Sequence, residues 1–356
     1  MPLQLGYYPF GAETRVRQQA GTGSQGNFRE NKMRIAAGLI FAGTVSLLAS
    51  SAAWSQTPPA AKSATSPAAP AAAPAPQAAP AAAAVKQPPQ PARAACTNPN
   101  ALGVGRTVEI DTTGGPGFGF EHFKTLDFLR DKEVVLTFDD GPWPVNTPAV
   151  LKALAEECTT GIFFTIGKHA TYYPEIIKQV YAAGHTIGTH TWSHQALVNK
   201  KLSEDQRKEE IEKGFAAVKW ALGGVSPAPF FRFPALQHPP EMVTYLGERN
   251  IAMFSTDLDS FDFKARNAQT VIDTVMRKVD KLGKGIILMH GFHKHTGEAV
   301  PELLKKLKAG GYKVVAMRAK EPVQVIAKYE EDVIKDLKLP TVSSRPVSSV
   351  VTTVSE

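Results

Sequence analysis

Short apolar runs alternate with amphipathic segments through the middle and later parts of the chain. The apolar runs predict seven strands, at 133–138, 161–166, 185–189, 230–233, 251–255, 285–289 and 313–317. The segments between them predict helices at about 147–158, 174–183, 203–222, 240–249, 267–282 and 301–308. Strands that alternate with helices favour a parallel sheet with helical crossovers. The pattern therefore predicts an α/β fold, a distorted (β/α) barrel of about seven parallel strands.

The first third of the chain has a different pattern. Arg34 precedes an uncharged apolar run from Ile35 to about Ala49, and small residues follow, which is the order of a secretory signal. Met33 is an alternative start for that signal. The 19 uncharged residues 35–53 are also close to the length that spans a bilayer, so a membrane anchor is the competing interpretation.

The composition along the chain predicts four regions. They are an extension with the signal or anchor at 1–56, a disordered Ala/Pro-rich linker at 57–95, a folded domain at 96–338 and a flexible tail at 339–356. The 356 residues carry a formal net charge of +7, and no dense Lys/Arg run with interleaved aromatic residues is present, which argues against nucleic-acid binding. In an exported protein, Cys96 and Cys158 could form a disulfide, with two unrelated thiols as the alternative.

Ionisable residues follow most of the predicted strands. In a parallel barrel the carboxyl ends of the strands share one face, where active sites form. The residues at that end are Asp139, Asp140, His190, His194, Arg232, Asp257, Asp259, Asp262 and His290. This placement predicts a catalytic face.

His190 and His194 are four residues apart, so one helical turn would place both imidazoles on one side. With one carboxylate they would make a two-histidine, one-carboxylate site for zinc or a similar divalent ion. If Asp140 binds the ion, Asp139 remains as a base. The alternative for the Asp-Gly-Pro stretch is an ordinary turn, which explains Gly141 and Pro142 but not the two adjacent acids.

At this point the sequence resembles the polysaccharide deacetylases of carbohydrate esterase family four, the group with nodulation-factor deacetylase-like domains. The resemblance covers about residues 130–320 and consists of five ordered motifs: TFDDGP at 137–142, HTWSH at 190–194, RFPA at 232–235, DLDSFDF at 257–263 and LMH at 288–290. It implies a single catalytic domain.

The resemblance also implies a role for each motif residue. Asp139 would be the general base, and Asp140, His190 and His194 would hold the metal. Arg232 would pair with Asp139 or its neighbours, and Asp262 would tune neighbouring groups. Leu288 would line the pocket for the acetyl methyl group, a backbone N–H of the third motif would bind the oxyanion, and His290 would be the general acid.

Two positions depart from the family pattern. Ala235 stands where an aromatic residue is common, and Phe263 replaces a frequent tryptophan, so the wall of the sugar groove would differ. Trp143 and Trp192 flank the motifs and would stack on sugar rings or serve ordinary packing. The sequence neighbours His238, His293 and His295 are interpreted as loop residues that do not bind metal.

These observations predict a metal-dependent hydrolase that removes N-acetyl or O-acetyl groups from a polysaccharide such as peptidoglycan, a chitooligosaccharide or an exopolysaccharide. Zinc is the expected ion, with cobalt, nickel or manganese as alternatives. The expected location is the periplasm or cell envelope, secreted or tethered to the membrane through residues 35–53. The competing hypotheses are a non-catalytic glycan-binding protein on the same fold and a structural envelope protein.

Overall fold

The computed structural model describes Pro91 and residues 95–337, all within one compact unit. The predicted signal or anchor, nearly all of the predicted linker and the predicted tail lie outside the described residues and stay predictions. Within the described residues, no helix has the length and apolar character needed to cross a membrane.

The described residues form ten strands and eight α-helices. The strands are β1 (Arg106–Ile110), β2 (Gly117–Phe118), β3 (Glu133–Asp139), β4 (Ile162–Thr165), β5 (Thr186–Thr189), β6 (Phe230–Phe231), β7 (Ala252–Phe254), β8 (Leu258–Asp259), β9 (Gly285–His290) and β10 (Lys313–Ala319). The helices are α1 (Asn146–Glu156), α2 (Gly167–Tyr172), α3 (Pro174–Ala182), α4 (Glu204–Ala221), α5 (Pro240–Glu248), α6 (Ala268–Leu282), α7 (Lys294–Ala309) and α8 (Ala327–Asp336).

All the strand pairs are parallel, and they close a distorted barrel. β3, β4, β5, β6 and β7 follow one another around the ring, while β8 pairs with β9 and β9 pairs with β3. Because β7 and β8 are successive parts of one short segment, that segment joins β6 to β9 and completes the ring. β10 pairs with the beginning of β3 and carries β1 on its other side. The predicted fold class is confirmed.

Alternation along β3 divides its side chains between two environments. Leu136 and Phe138 join the apolar cluster that the surrounding helices cover. Thr137 and Asp139 have the opposite orientation, and both contact the fully buried Arg232. Burying one large apolar side chain contributes about 1.5–3 kcal/mol, so the outward residues stabilise the strand that aims Asp139 at the barrel interior.

All seven predicted strands are present, but several elements were missed. β2 and β8 have two residues each and α2 has six, too few for a periodic pattern. α8 has one buried residue, Val333, so it shows little apolar pattern. α7 begins at Lys294, whereas a start at Pro301 was predicted; the burial of Ala299 and Val300 against the core offsets the hydrogen bond that Pro301 cannot donate.

A disulfide joins Cys96 to Cys158, the pairing that the sequence left open. Cys158 lies just after α1, and its neighbour Glu157 accepts hydrogen bonds from the Leu102 N–H and from Lys308. The bond therefore ties the beginning of the folded domain to the end of α1, where the partly buried ion pair of Glu157 with Lys308 holds the same segment.

Candidate active site

The centre of the site is a cluster of three side chains from the ends of β3 and β5. Asp140 Oδ1 lies 3.5 Å from His190 Nε2 and 3.4 Å from His194 Nε2. One ligand atom from each residue falls within 4.8 Å of the other two. Among the described residues, this is the one group of three or more acidic, histidine or cysteine side chains with such spacing.

Two observations show that this cluster fits a divalent metal ion. Asp140 Oδ1 is buried and has no hydrogen-bond partner, which is costly for a carboxylate oxygen unless a cation binds there. The His190 Nδ1–H donates to the Arg232 carbonyl oxygen at 2.7 Å, which leaves Nε2 unprotonated and aimed at Asp140. Burial lowers the pKa of His190, so its imidazole is neutral as a metal ligand must be.

The backbone that presents these ligands is unusual. Asp140 and His194 have φ of 68° and 62°, and Thr191 between the histidines has φ of 67°. The left-handed region costs a non-glycine residue about 1–2 kcal/mol. The predicted helical turn between the histidines is therefore wrong: a left-handed loop, closed by the His194 N–H donating to Thr191 Oγ1, brings the two imidazoles together.

Asp139 is held from inside the barrel by Arg232. The guanidinium donates to Asp139 Oδ1 and to Thr137 Oγ1, each at 2.7 Å, and to the Ser255 carbonyl oxygen at 2.8 Å. It also lies over the Phe164 ring, 4.3 Å from the centroid. Both members of the ion pair are buried, so the charge of each compensates the other. Asp139 Oδ2 makes no hydrogen bond to the described residues.

His290 lies at the end of β9, where its Cα pairs with that of Asp139 on β3. Its Nδ1 is 2.6 Å from Asp262 Oδ1, and its backbone N–H donates to Asp262 Oδ2 at 2.7 Å. Burial alone would lower the pKa of His290, but the hydrogen bond and the charge of Asp262 outweigh burial and raise that pKa to about 9. The same pairing, helped by Thr296, outweighs burial and lowers the pKa of Asp262.

The three aspartates after β7 have separate surroundings. Asp257 accepts hydrogen bonds from the Phe120 and Ile286 N–H groups, so it ties two segments together away from the metal-ligand cluster. Asp259 lines the cleft and accepts from the Phe261 N–H. Burial raises the pKa of both carboxyl groups. Of the three, Asp262 is the one that contacts His290.

These groups face one cleft of about 570 Å³. Asp139, Asp140, His190, His194 and His290 line it, together with Leu288, Ala235 and Phe263. Ala235 has φ of 53°, and its backbone N–H makes no hydrogen bond to the described residues. The cleft thus holds the three-residue cluster that fits a metal ion, two further ionisable side chains, Asp139 and His290, a free N–H donor and an apolar wall.

The two tryptophans occupy different positions. Trp143 is 37% exposed and contacts the rings of His169 and Tyr173, and it does not line the cleft. Trp192 packs against a small cluster that includes Ala216, Ala217 and Val333, and it does not line the cleft. The position of Trp192 therefore favours ordinary packing over stacking on a sugar ring.

The three neighbouring histidines lie outside the metal-ligand cluster. His293 precedes α7 and lines the cleft, while His295 lies inside α7 and is not a loop residue, because the helix begins earlier than predicted. The ring of His238 contacts that of His122, with 4.5 Å between the centroids, and burial lowers the pKa of His238 to about 4.

Several site residues were not found from the sequence. Glu121 and His122 line the cleft from the segment before β3. His122 is fixed by a 2.7 Å hydrogen bond between its Nδ1 and Ser255 Oγ. His169 on the short helix α2 donates from Nδ1 to the Asp140 carbonyl oxygen at 2.6 Å, which supports the strained backbone of that ligand. None of these residues lies in a motif or in a strongly periodic element.

Comparisons with known proteins agree with this geometry. A model of the polysaccharide deacetylase family matches residues 128–253. The peptidoglycan-N-acetylmuramic acid deacetylase PdaC of Bacillus subtilis is 31% identical over 202 residues, which cover 55% of this chain and 40% of PdaC. A chitooligosaccharide deacetylase of Azorhizobium caulinodans is 31% identical over 165 residues, which cover 45% of this chain and 74% of that protein.

A solved structure shows the same fold. The peptidoglycan deacetylase of Bdellovibrio bacteriovorus is similar with a TM-score of 0.56 and 31% identity, over 65% of this chain and 64% of that chain. The chain spans less than half the length of PdaC. The motifs, the barrel and the relatives agree, and the chain belongs to the polysaccharide deacetylase family.

Proposed function

We propose that this protein is a metal-dependent hydrolase that removes acetyl groups from the sugars of a cell-envelope polysaccharide. The main observation in support of the proposal is that potential metal ligands, a carboxylate and a histidine line one cleft. The cluster of Asp140, His190 and His194 shares this cleft with a carboxylate paired with arginine and a histidine paired with aspartate. Hydrolysis of an amide needs a base for water and an acid for the departing amine.

The metal ion is proposed to be zinc, held by Asp140, His190 and His194. Two imidazoles and one carboxylate with open positions suit zinc, and cobalt, nickel or manganese are the alternatives to test. When bound, the ion supplies Lewis acidity for the acetyl carbonyl and for water. His169 and the Arg232 carbonyl oxygen orient two of the ligands from behind.

Asp139 is assigned as the general base. Its Oδ1 is occupied by Arg232, while Oδ2 is free of hydrogen bonds to the described residues and lies 3.9 Å from His190 Nε2, beside the ligand cluster. Water near the ligands is therefore within reach of Oδ2, which accepts its proton as the water attacks the carbonyl carbon. Arg232 keeps the carboxylate in this orientation.

His290 is assigned as the general acid. Its Nδ1–H is bound to Asp262, so the proton for the leaving group comes from Nε2. A pKa raised to about 9 keeps His290 protonated at neutral pH. That proton goes to the sugar nitrogen as the C–N bond breaks, since an unprotonated amine anion leaves very poorly.

Two further residues are proposed to hold the acetyl group. The free N–H of Ala235 is assigned as a donor to the developing oxyanion, a contribution that commonly lowers the barrier by about 3–4 kcal/mol. Leu288, which is 4% exposed, gives the methyl group an apolar wall. The small Ala235 side chain leaves the groove open at a position where an aromatic residue is common in the family.

The substrate is proposed to be an N-acetylated polymer of the cell wall or a related oligosaccharide. The names of the relatives refer to peptidoglycan and chitooligosaccharides, both of which carry N-acetylated sugars. The predicted export signal is consistent with action in the periplasm or at the cell envelope. O-acetyl groups are a secondary target, because the same base and oxyanion donor serve an ester.

The test is acetate release from peptidoglycan, chitooligosaccharides and acetylated exopolysaccharide, with and without a chelator. We expect release from at least one polymer, loss on chelation, and recovery when zinc is added back. Acetate release that persists through chelation would contradict the metal assignment. Glycan binding without any acetate release would favour the non-catalytic alternative.

A further inference from the structure

A second pocket, of about 410 Å³, lies against the metal-ligand cluster. We call it the flanking pocket, and it is bounded by Lys168, His169 and Tyr172. It shares Asp140 and His194 with the catalytic cleft. A polymer with one sugar in the cleft therefore has space for a neighbouring sugar in the flanking pocket.

Lys168 and Lys213 both approach the Trp192 ring, but they differ in whether the ammonium group has an anionic partner. Lys213 Nζ lies 4.9 Å from the Trp192 centroid, and it pairs with Asp336 at 2.5 Å and with Glu209 at 3.5 Å. Lys168 Nζ lies 5.8 Å from that centroid, and its ammonium has no hydrogen bond or ion pair among the described residues. A half-buried ammonium is stabilised by an anion, and Lys213 has anionic partners while Lys168 has none.

The backbone holds Lys168 firmly at the edge of the pocket. Its N–H donates to the Trp192 carbonyl oxygen at 2.9 Å, and the preceding Gly167 N–H donates to the Thr191 carbonyl oxygen at 2.9 Å. An added Cβ at Gly167 would lie 2.8 Å from the Trp192 ring. This close approach of α2 to the histidine loop fixes the backbone of Lys168 at the edge of the flanking pocket.

Exposed aromatic rings form the other part of this region. Tyr172 is 61% exposed and lies 6.4 Å from the His169 ring, which in turn contacts Trp143 at 5.3 Å. Large exposed rings grouped beside a pocket mark a binding surface. Rings next to one unpaired cation suit a sugar that carries a negative charge.

We propose that the flanking pocket binds a carboxylate-bearing sugar next to the sugar that is deacetylated, with Lys168 as the residue that recognises the carboxylate. This inference rests on the proposed deacetylase function. The carboxylate has two sources in polysaccharides, the lactyl ether of muramic acid and the carboxyl group of a uronic acid. Lys168 would make the enzyme prefer polymers in which N-acetylated sugars alternate with such acids.

The experiment uses matched pairs of substrates on the full chain. One pair is a peptide-free tetrasaccharide of N-acetylglucosamine and N-acetylmuramic acid with its methyl ester. The other pair is a tetrasaccharide of N-acetylglucosamine and glucuronic acid with its methyl ester. For each pair, kcat/KM for acetate release and Kd by calorimetry are measured. We expect the free acid of at least one pair to be preferred over its ester by about fivefold to tenfold, and the preference to fall at high salt.

Substitutions at Lys168 test whether this residue causes the preference for the free acid over the ester. Lys168→Gln should bring the ratio of acid to ester close to one, and Lys168→Arg should keep most of it. Lys178→Gln, which removes an exposed lysine on α3, is the matched control and should leave the ratio unchanged. The pair that shows the preference identifies the source of the carboxylate.

Two results would overturn the inference: equal values for acid and ester in the unaltered protein, or a preference that survives Lys168→Gln. If no substrate releases acetate, the proposed deacetylase function fails, while the Kd ratios still decide whether Lys168 recognises a carboxylate. Circular dichroism of each variant confirms that a lost preference does not come from unfolding.

Discussion

Two buried carboxylates, Asp139 and Asp262, are each bound to a cationic side chain, but they have different functions. Asp139 itself lines the cleft, whereas Asp262 contacts the cleft residue His290. Asp139 meets Arg232 at 2.7 Å through Oδ1 alone, which leaves Oδ2 open to the cleft. Asp262 meets His290 at 2.6 Å, and both of its oxygens are occupied, by the His290 ring and N–H, the Phe263 N–H and the Thr296 hydroxyl. A carboxylate with a free oxygen can accept a proton, whereas a fully occupied one can only hold and polarise its partner.

The partners differ as well. Arginine stays charged at every accessible pH, so Arg232 orients Asp139 without taking part in proton transfer. Histidine titrates near neutral pH, so Asp262 can set the pH range in which His290 carries a proton. Two acid–cation pairs of similar length therefore suit different roles: a positioned base in Asp139 and a tuned acid in His290.

The largest expected effect is that of Asp139→Asn. The amide cannot accept a proton from water, so we expect kcat for acetate release to fall by about 10³-fold, within the range for loss of a general base. Asp131→Asn, at an exposed position shortly before β3, is the control and should keep the parent rate. A rate within about tenfold of the parent would remove Asp139 from the role of base.

His290→Gln should be nearly as damaging, but only for substrates with a poor leaving group. We expect kcat/KM to fall by about 10²–10³-fold on an N-acetylated oligosaccharide and by much less on p-nitrophenyl acetate, whose phenolate leaves without a proton. His295→Gln, in α7, serves as the histidine control. Equal losses on both substrates would indicate that His290 binds substrate and does not act as an acid.

Asp262→Asn should move the alkaline limit of activity. His290 must be protonated to act, so kcat/KM should decline as the pH rises through about 9 in the unaltered protein. Without the Asp262 charge, burial lowers the pKa of His290, and the decline should begin about 1–3 pH units lower. The measurement is kcat/KM from pH 5 to 11, and an unchanged profile would show that another group sets the limit.

The smallest effect is on stability. Because the folded pKa of His290 is about 9 against about 6.5 unfolded, its pairing stabilises the fold fully below pH 6.5. That contribution, about 3 kcal/mol, is lost as the pH rises from 6.5 through 9. Urea unfolding at pH 6 and pH 10 should show the loss in the parent but not in Asp262→Asn.

The seven main strands and the five motifs were predictable because each has a local signal. Buried parallel strands appear as short apolar runs, and their carboxyl ends collect at one face of a barrel. That rule predicts from the sequence alone that Asp140, His190, His194 and His290 lie at one face, and all four line one cleft. The helical turn predicted between His190 and His194 is wrong, because a loop with left-handed residues joins them.

Other parts of the site had no local signal. Lys168 and His169 lie on a six-residue helix, and His122 lies in a segment before the motif region. Their roles depend on contacts with Trp192, Asp140 and Ser255, which are 24 to 133 residues away along the chain. No pattern of hydrophobic and polar positions records such distant pairs.

The sequence by itself determined the alternation of strands and helices, the strand ends at which charges gather and the residue types that suit a metal ion and proton transfer. Those features follow from local periodicity and from the chemistry of individual side chains. The tertiary structure alone decided which oxygen of each aspartate is free, which lysine lacks an anionic partner and where the disulfide closes. These depend on packing between segments far apart in the chain, because burial and hydrogen-bond partners are properties of the folded molecule.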